Sequence, residues 1–323
     1  MPEATPNSVC VAGASGTIGR AVVRECVARG YAVTAMVRSV DDTDTPEFEG
    51  ASVHALNVAR PDDVMAFMAQ NAPDAIISCL ASRTGAPRDA EAIDFVANLN
   101  LLAGANTARV GHFVLLSAIC VQRPHLAFQR AKLKFEEQLI ASYVDYTIVR
   151  PTAFFKSLSG QVKRVAAGKP FLIFGNGELT RCKPISDADL ARFITNTLTD
   201  PAARGAELPI GGPGPAITLK EQGELLFEVA GKEPKFKSVP VGLFDIAAKV
   251  IGLGAPFSKW CAEKAEYARI AKYYATQSML LLDPETGEYS AEKTPEFGTE
   301  TLREHYEHVV AQELSGAPAP ASA

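Results

Sequence analysis

Gly13-Ala14-Ser15-Gly16-Thr17-Ile18-Gly19 constrains this chain more than any other stretch. It follows a short apolar run, Val9 to Ala12, and opens an amphipathic segment running from about Ile18 to Ala28. An apolar run ended by a glycine turn reads as a buried strand, and the spacing after it is helical. A strand that passes through such a turn into a helix has the form of a phosphate cradle. The first two glycines permit a tight turn and let backbone close on a pyrophosphate, the third lets helix pack on strand, and the helix N-terminus offers unpaired N–H groups. The motif needs a second strand behind it, and Tyr31 to Val37 supplies one.

The alternation continues with a strand near Ser52 to Leu56, a helix from Pro61, a strand at Ala75 to Cys79 and a helix through Asp94 to Ala108. A strand from His112 to Ser117, a helix from Ala127 to Ala141 and a strand from Asp145 to Val149 complete it. Strands alternating with helices of this length predict right-handed crossovers and an α/β fold, a Rossmann-type doubly wound parallel sheet. Beyond Pro151 the chain is richer in glycine, proline and aromatic residues. Residues 1–155 are expected to form the dinucleotide-binding domain, rejoined by 184–214 through a helix from Pro184 to Leu198 and a strand from Glu207 to Ile210. Residues 156–183 and 215–314 are read as a smaller, mixed α/β C-terminal substrate domain, and 315–323 as a disordered tail of Ala, Pro and Ser.

With 323 residues, 47% of them hydrophobic, a sizeable core is affordable, and a net charge of -5 argues against nucleic acid, whose phosphates need clustered Lys and Arg. The six cysteines lie in apolar stretches without CxxC pairs or a His cluster, which reads as reduced thiols and no metal site. The opening residues lack the basic and apolar regions of a secretory signal, and no uncharged apolar run approaches the roughly 20 residues of a membrane span. A cytoplasmic protein acting on a small molecule is the resulting expectation.

The cofactor-binding set begins with Gly13, Ser15, Gly16, Thr17, Ile18 and Gly19. The second strand decides which nucleotide they hold. An NAD site places Asp or Glu about 20 residues past the glycines to bind the ribose 2′-hydroxyl. Here the strand ends in Arg38 and Ser39, a cation and a hydroxyl where a 2′-phosphate would sit, so NADPH is favoured over NADH. Asp41 and Asp42 come slightly later and suit a turn cap. Ligands of such sheets lie outside the carboxyl ends of the strands, which adds Asn57 near the adenine and Cys79, Leu80 and Ala81 near the central phosphates and ribose. Asn57 also reads as an ordinary turn residue. Pro151, just past the last strand, is counted with this set.

Ser117 at a strand end and Lys132 on the next helix resemble the reaction centre of short-chain dehydrogenases. The resemblance implies that Ser117 hydrogen-bonds substrate or cofactor and that Lys132, the catalytic candidate, binds the nicotinamide ribose and lends positive potential near the hydride. A plain strand-end hydroxyl and a solvated helix lysine are the competing readings. Where most of that superfamily carry a tyrosine, four residues before the lysine, this chain has Phe128, which has no ionisable proton to give. The whole arrangement resembles the atypical, NmrA-like and isoflavone-reductase-like branch of the extended short-chain dehydrogenases.

Several downstream segments are similar to the divinyl chlorophyllide 8-vinyl reductases. They are Arg150 to Ser157, Cys182 to Ser186, Pro209 to Gly214, Gly231 to Phe236 and Leu282 to Tyr289, together with Phe128 to Lys134. That resemblance covers about Val9 to Val310 and implies NADPH-dependent reduction of the 8-vinyl group of a divinyl chlorophyllide or protochlorophyllide to ethyl, in chlorophyll or bacteriochlorophyll synthesis. Its tetrapyrrole substrate is large, flat and apolar with a carboxylate edge, and calls for a wide apolar cleft. Phe128, Phe154 and Phe155 are the expected walls, with the segment Phe171 to Phe174, and Lys156 the partner of the propionate. Phe257, Trp260, Tyr267, Tyr273 and Tyr274 read either as a lid or as core packing. Val239 to Phe257 has helical apolar spacing, which suits a core helix or a surface peripheral to the photosynthetic membrane. A non-catalytic NmrA-like NADP-binding regulator and an isoflavone-reductase-like reductase of another conjugated substrate are the alternatives, and the oligomeric state stays open.

Overall fold

The structure, a computed structural model, describes residues 6–39, 48–255 and 258–315. Strand β1 (Ser8–Ala12) is followed by α1 (Thr17–Ala28), β2 (Ala32–Val37), β3 (Ser52–Ala55), α2 (Pro61–Asn71) and β4 (Ala75–Ser78). Next come α3 (Pro87–Ala90), a π-helical stretch Glu91–Ala97, α4 (Asn98–Ala108), β5 (His112–Leu116), α5 (Ala127–Ile140) and β6 (Tyr146–Pro151). The chain then leaves the sheet through α6 (Phe155–Leu158), α7 (Val162–Ala166), β7 (Phe171–Phe174) and β8 (Arg181–Cys182), and returns with α8 (Asp187–Asn196) and β9 (Ala206–Ile210).

The seven-stranded sheet has the order β3-β2-β1-β4-β5-β6-β9, and the pairs β2–β3, β1–β2, β1–β4, β4–β5 and β5–β6 are all parallel. Strands buried on both faces carry continuous apolar runs, and β4 and β5 are buried at every position. The order reverses at β1, with β2 on one side and β4 on the other, so the crevice past their carboxyl ends is where a dinucleotide binds in such sheets.

The chain divides into two compact units, Met1–Pro151 with Leu190–Leu208, and Thr152–Asp189 with Pro209–Ser322. In the first, Phe113 and Phe135 pack with ring centroids 5.8 Å apart in a core that also holds Leu101, Leu139 and Ile148. The second unit contains β10 (Ile217–Thr218), α9 (Leu219–Val229), β11 (Phe236–Val239), α10 (Gly242–Gly252), α11 (Lys259–Thr276), β12 (Leu281–Leu282), β13 (Tyr289–Ser290) and α12 (Leu302–Ser315). Its core gathers Phe155, Phe171, Phe227 and Tyr306. Thr218 and Glu221 form a reciprocal capping box that starts α9. No helix among the described residues is long and apolar enough to cross a membrane.

Three expected elements differ. The helix expected from Asp94 starts at Pro87, a residue suited to a first helical position, and passes through the π stretch, whose extra residue breaks the helical period in the sequence. The helix expected from Pro184 starts at Asp187, because Ile185 first bridges to Phe154 and its N–H donates to the Ala153 carbonyl at 2.9 Å. The helix expected across Val239 to Phe257 is confined to α10, and Phe257 lies outside the described residues, as do Asp41 and Asp42.

Candidate active site

The glycine turn is shaped by contacts that admit no side chain. Gly13 has φ +73°, and a Cβ there would lie 2.9 Å from the backbone carbonyl carbon and oxygen of Cys79. A Cβ on Gly19 would lie 2.1 Å from the Gly13 oxygen, far inside contact distance, so the third glycine lets α1 close against the turn. Gly16 occupies the N-cap position, without a side chain to cap the helix, and the first turn of α1 has no acidic residue. The N-terminal end of α1 therefore keeps its positive dipole and its amide donors, which fits a pyrophosphate. Ser15 is partly exposed in the turn, and Thr17 and Ile18 begin the helix.

Around this cradle, Arg38 is exposed and Ser39 partly buried immediately after β2. Cys79 follows β4, and its N–H donates to the Ala12 carbonyl at 2.9 Å, tying the end of β4 to β1. Burial pushes the Cys79 thiol up to about 12, with Lys132 acting in the opposite direction, so the thiol stays neutral. Leu80 belongs to the core and Ala81 is exposed. The Asn57 side chain accepts from Ala59 N–H at 3.2 Å, the geometry of a turn residue. Pro151 is buried at the end of β6.

The candidate reaction-centre residues lie along and beside α5. Phe128, Lys132 and Glu136 are spaced four residues apart and share one face of it. Phe128 is partly buried. Lys132, at 7% exposure, is not a solvated lysine: its Nζ lies 3.1 Å from Oδ1 of Asp94, which is 1% exposed. The Ser117 hydroxyl donates to the buried carboxylate of Glu136. The same carboxylate accepts from Arg150 Nη2 at 2.5 Å, while Arg150 Nη1 lies 2.5 Å from Glu207. With its proton given to Glu136, Ser117 has only lone pairs to offer another ligand through that hydroxyl. Asp94, Glu136 and Arg150 were not singled out as site residues from the sequence; the one signal was the four-residue step from Lys132 to Glu136.

In the second unit, Phe154 is partly buried and Lys156 exposed. Phe155 is instead a core residue, packed in the cluster of Val162, Val165 and Phe171 with its ring 5.4 Å from His305, so packing takes up the face expected to meet substrate. Phe171 is fully buried for the same reason, and Phe174 packs on Phe244. Trp260, Tyr267 and Tyr274 are exposed on α11, while Tyr273 is buried. No cluster of potential metal ligands occurs among the described residues.

A protein family described as NAD(P)H-binding matches residues 13–201. The divinyl chlorophyllide a 8-vinyl-reductase (chloroplastic) of Cucumis sativus is 45% identical over 96% of this chain and 77% of its own length. The protein of the same name from Zea mays is 46% identical over 97% and 82%. Among solved structures, an NADPH-dependent quinone oxidoreductase of Escherichia coli, complexed with NADPH, superposes with a TM-score of 0.69 at 17% identity, over 93% of this chain and 99% of that one. That likeness concerns the fold.

Proposed function

The chain belongs to the divinyl chlorophyllide a 8-vinyl-reductase family, and from that premise we propose that it reduces the 8-vinyl group of a divinyl chlorophyllide or protochlorophyllide to ethyl with NADPH. The observation that carries this reading is the loss of both proton donors that a carbonyl reductase aims at its substrate oxygen. Phe128 has no ionisable proton, and Ser117 has committed its own to Glu136. Reduction of a carbonyl leaves an oxyanion that such donors stabilise. A vinyl group conjugated to a tetrapyrrole delocalises the charge left by hydride addition over the macrocycle, and the proton goes to carbon.

NADPH when bound supplies the hydride. Gly13 to Gly19 and the N-terminus of α1 are the proposed pyrophosphate site, and Arg38 with Ser39 the proposed 2′-phosphate site. Lys132 is the proposed catalytic residue, binding the nicotinamide ribose hydroxyls and keeping a positive charge beside the transferred hydride. Phe128 offers an apolar ring to the macrocycle; in the second unit Phe154 is a further proposed contact and Lys156 the proposed partner of the propionate.

We also propose a cytoplasmic location with peripheral contact to the photosynthetic membrane. Leu243, Ile246, Val250 and Leu253 are exposed in one stripe along and just past α10. The segment from Lys235 to Thr276 carries seven Lys and Arg against three Asp and Glu, in a chain whose net charge is -5. Both features suit an anionic lipid surface.

The test is incubation of the protein with divinyl chlorophyllide and NADPH, following cofactor oxidation and the blue shift expected when a vinyl group leaves the conjugated system. NADPH that binds but is never oxidised would favour the non-catalytic regulator.

A further inference from the structure

We propose that Asp94 is the positioning residue of Lys132: its buried carboxylate fixes where the lysine's charge stands, an inference that rests on the role of Lys132 given above. A lysine buried to this degree is held in place by a charge-assisted bond to a carboxylate at 3.1 Å rather than by water. The pairing carries a cost. Asp94 Oδ2 is buried without a hydrogen-bond partner among the described residues, and well-packed apolar residues in place of such a pair are often neutral or stabilising. What the pair provides is a cation held in place.

The backbone aims Asp94. It sits in the π-helical stretch Glu91–Ala97, and the wider turn is held open by Asn98. The Asn98 side-chain amide donates to the carbonyls of Ile93 at 3.3 Å and Asp94 at 3.2 Å, and its oxygen accepts from Ser78 Oγ at 2.5 Å. Ser78 ends β4, so the stretch is anchored to the sheet. On the α5 side, Lys134 binds Glu91 at 2.8 Å and lies 3.7 Å above the Phe95 ring. The π stretch is thus pinned from two directions, and π turns recur at functional sites.

Other ionisable groups on the elements packed against α5 are engaged elsewhere, buried or exposed. Glu91 is paired to Lys134, Asp89 accepts from Thr84, and Arg150 is shared between Glu136 and Glu207. Cys120 is buried, Tyr146 is partly buried, and Arg88 is exposed. On α5 itself, Arg130 Nη1 donates to the carbonyls of Pro124 and His125, and Glu137 is exposed. Asp94 is therefore the group that governs the lysine.

The experiment is an equilibrium binding titration of the full-length protein near pH 7 with NADPH and, separately, with adenosine 2′,5′-bisphosphate, which lacks the nicotinamide ribose, for the wild type, Lys132→Met, Asp94→Asn and Asp94→Glu. Lys132→Met should weaken NADPH about tenfold and leave the bisphosphate within about twofold. Asp94→Asn should weaken NADPH by a similar factor with the bisphosphate unchanged, and Asp94→Glu should restore part of the loss, a pattern that a general loosening of the fold would not give. If Lys132→Met binds NADPH as the wild type does, the role of Lys132 fails. If Lys132→Met is weak while Asp94→Asn superposes on the wild type, or weakens both ligands alike, the inference about Asp94 alone is overturned. Should Asp94→Asn not fold, Asp94→Glu decides: it keeps the pair but displaces the ammonium, and NADPH affinity equal to that of the wild type would overturn the inference.

Discussion

Replacing Glu136 by alanine removes a carboxylate that is 2% exposed and joins α5 to the ends of β5 and β6. Two groups lose an acceptor. Arg150, partly buried, retains Glu207 at 2.5 Å, so it is weakened but not stranded. Breaking one side of a buried pair costs about 3–5 kcal/mol, and the surviving partner places this case near the lower end, about 3 kcal/mol. The buried Ser117 hydroxyl, left without its acceptor, adds about 1 kcal/mol. A loss of about 4 kcal/mol corresponds to a fall of roughly 8 °C in Tm, taking about 2 °C per kcal/mol for a chain of this size. Glu136→Gln keeps the shape and an acceptor for Ser117, and should lose about half as much. Circular-dichroism melts of the three proteins, with hydrogen exchange read in β5 (His112–Leu116), make the comparison. An alanine variant that melts within about 1 °C of the wild type, with β5 exchange unchanged, would refute the claim that the carboxylate ties these strands to α5.

Arg38→Ala should weaken NADPH by at least about tenfold while leaving NADH within about threefold, since the side chain has no 2′-phosphate to bind in NADH; equal losses in equilibrium titrations contradict the assignment. His112 is buried, with Nε2 2.9 Å from Thr147 Oγ1, and burial, helped by Arg204, pushes its pKa down to about 3. Its folded value lies below the unfolded value of about 6.5, so its contribution is present above pH 6.5 and is lost as pH falls towards 3, by about 1.4 kcal/mol per pH unit. Urea unfolding at pH 7 and pH 5 should show that slope, His112→Gln should flatten it, and an equally steep slope in the variant would assign the acid sensitivity elsewhere.

Features governed by neighbouring residues were legible in the sequence. The glycine spacing of Gly13 to Gly19 encodes a left-handed φ and a close backbone approach, both of which the structure contains. The alternation of apolar runs and amphipathic segments implied the parallel sheet, and Phe128 on its helix announced a missing phenol before any contact was known. Residues whose meaning depends on distant partners were not legible. Phe155 and Phe171 read as substrate walls because an aromatic side chain looks the same in a cleft and in a core; the structure places both in a packed cluster with Val165 and Leu226.

The sequence by itself determined the sheet, the glycine turn that opens α1 and the identity of the side chains at the candidate reaction centre, because backbone conformation and apolar periodicity are local properties. Tertiary structure alone decided which groups those side chains meet. Ser117 turns its proton to Glu136, 19 residues away, and Lys132 meets Asp94 only because a π stretch in one helix faces α5. Hydrogen-bond direction and charge pairing depend on which groups share a buried volume, and that volume exists only once the chain has packed.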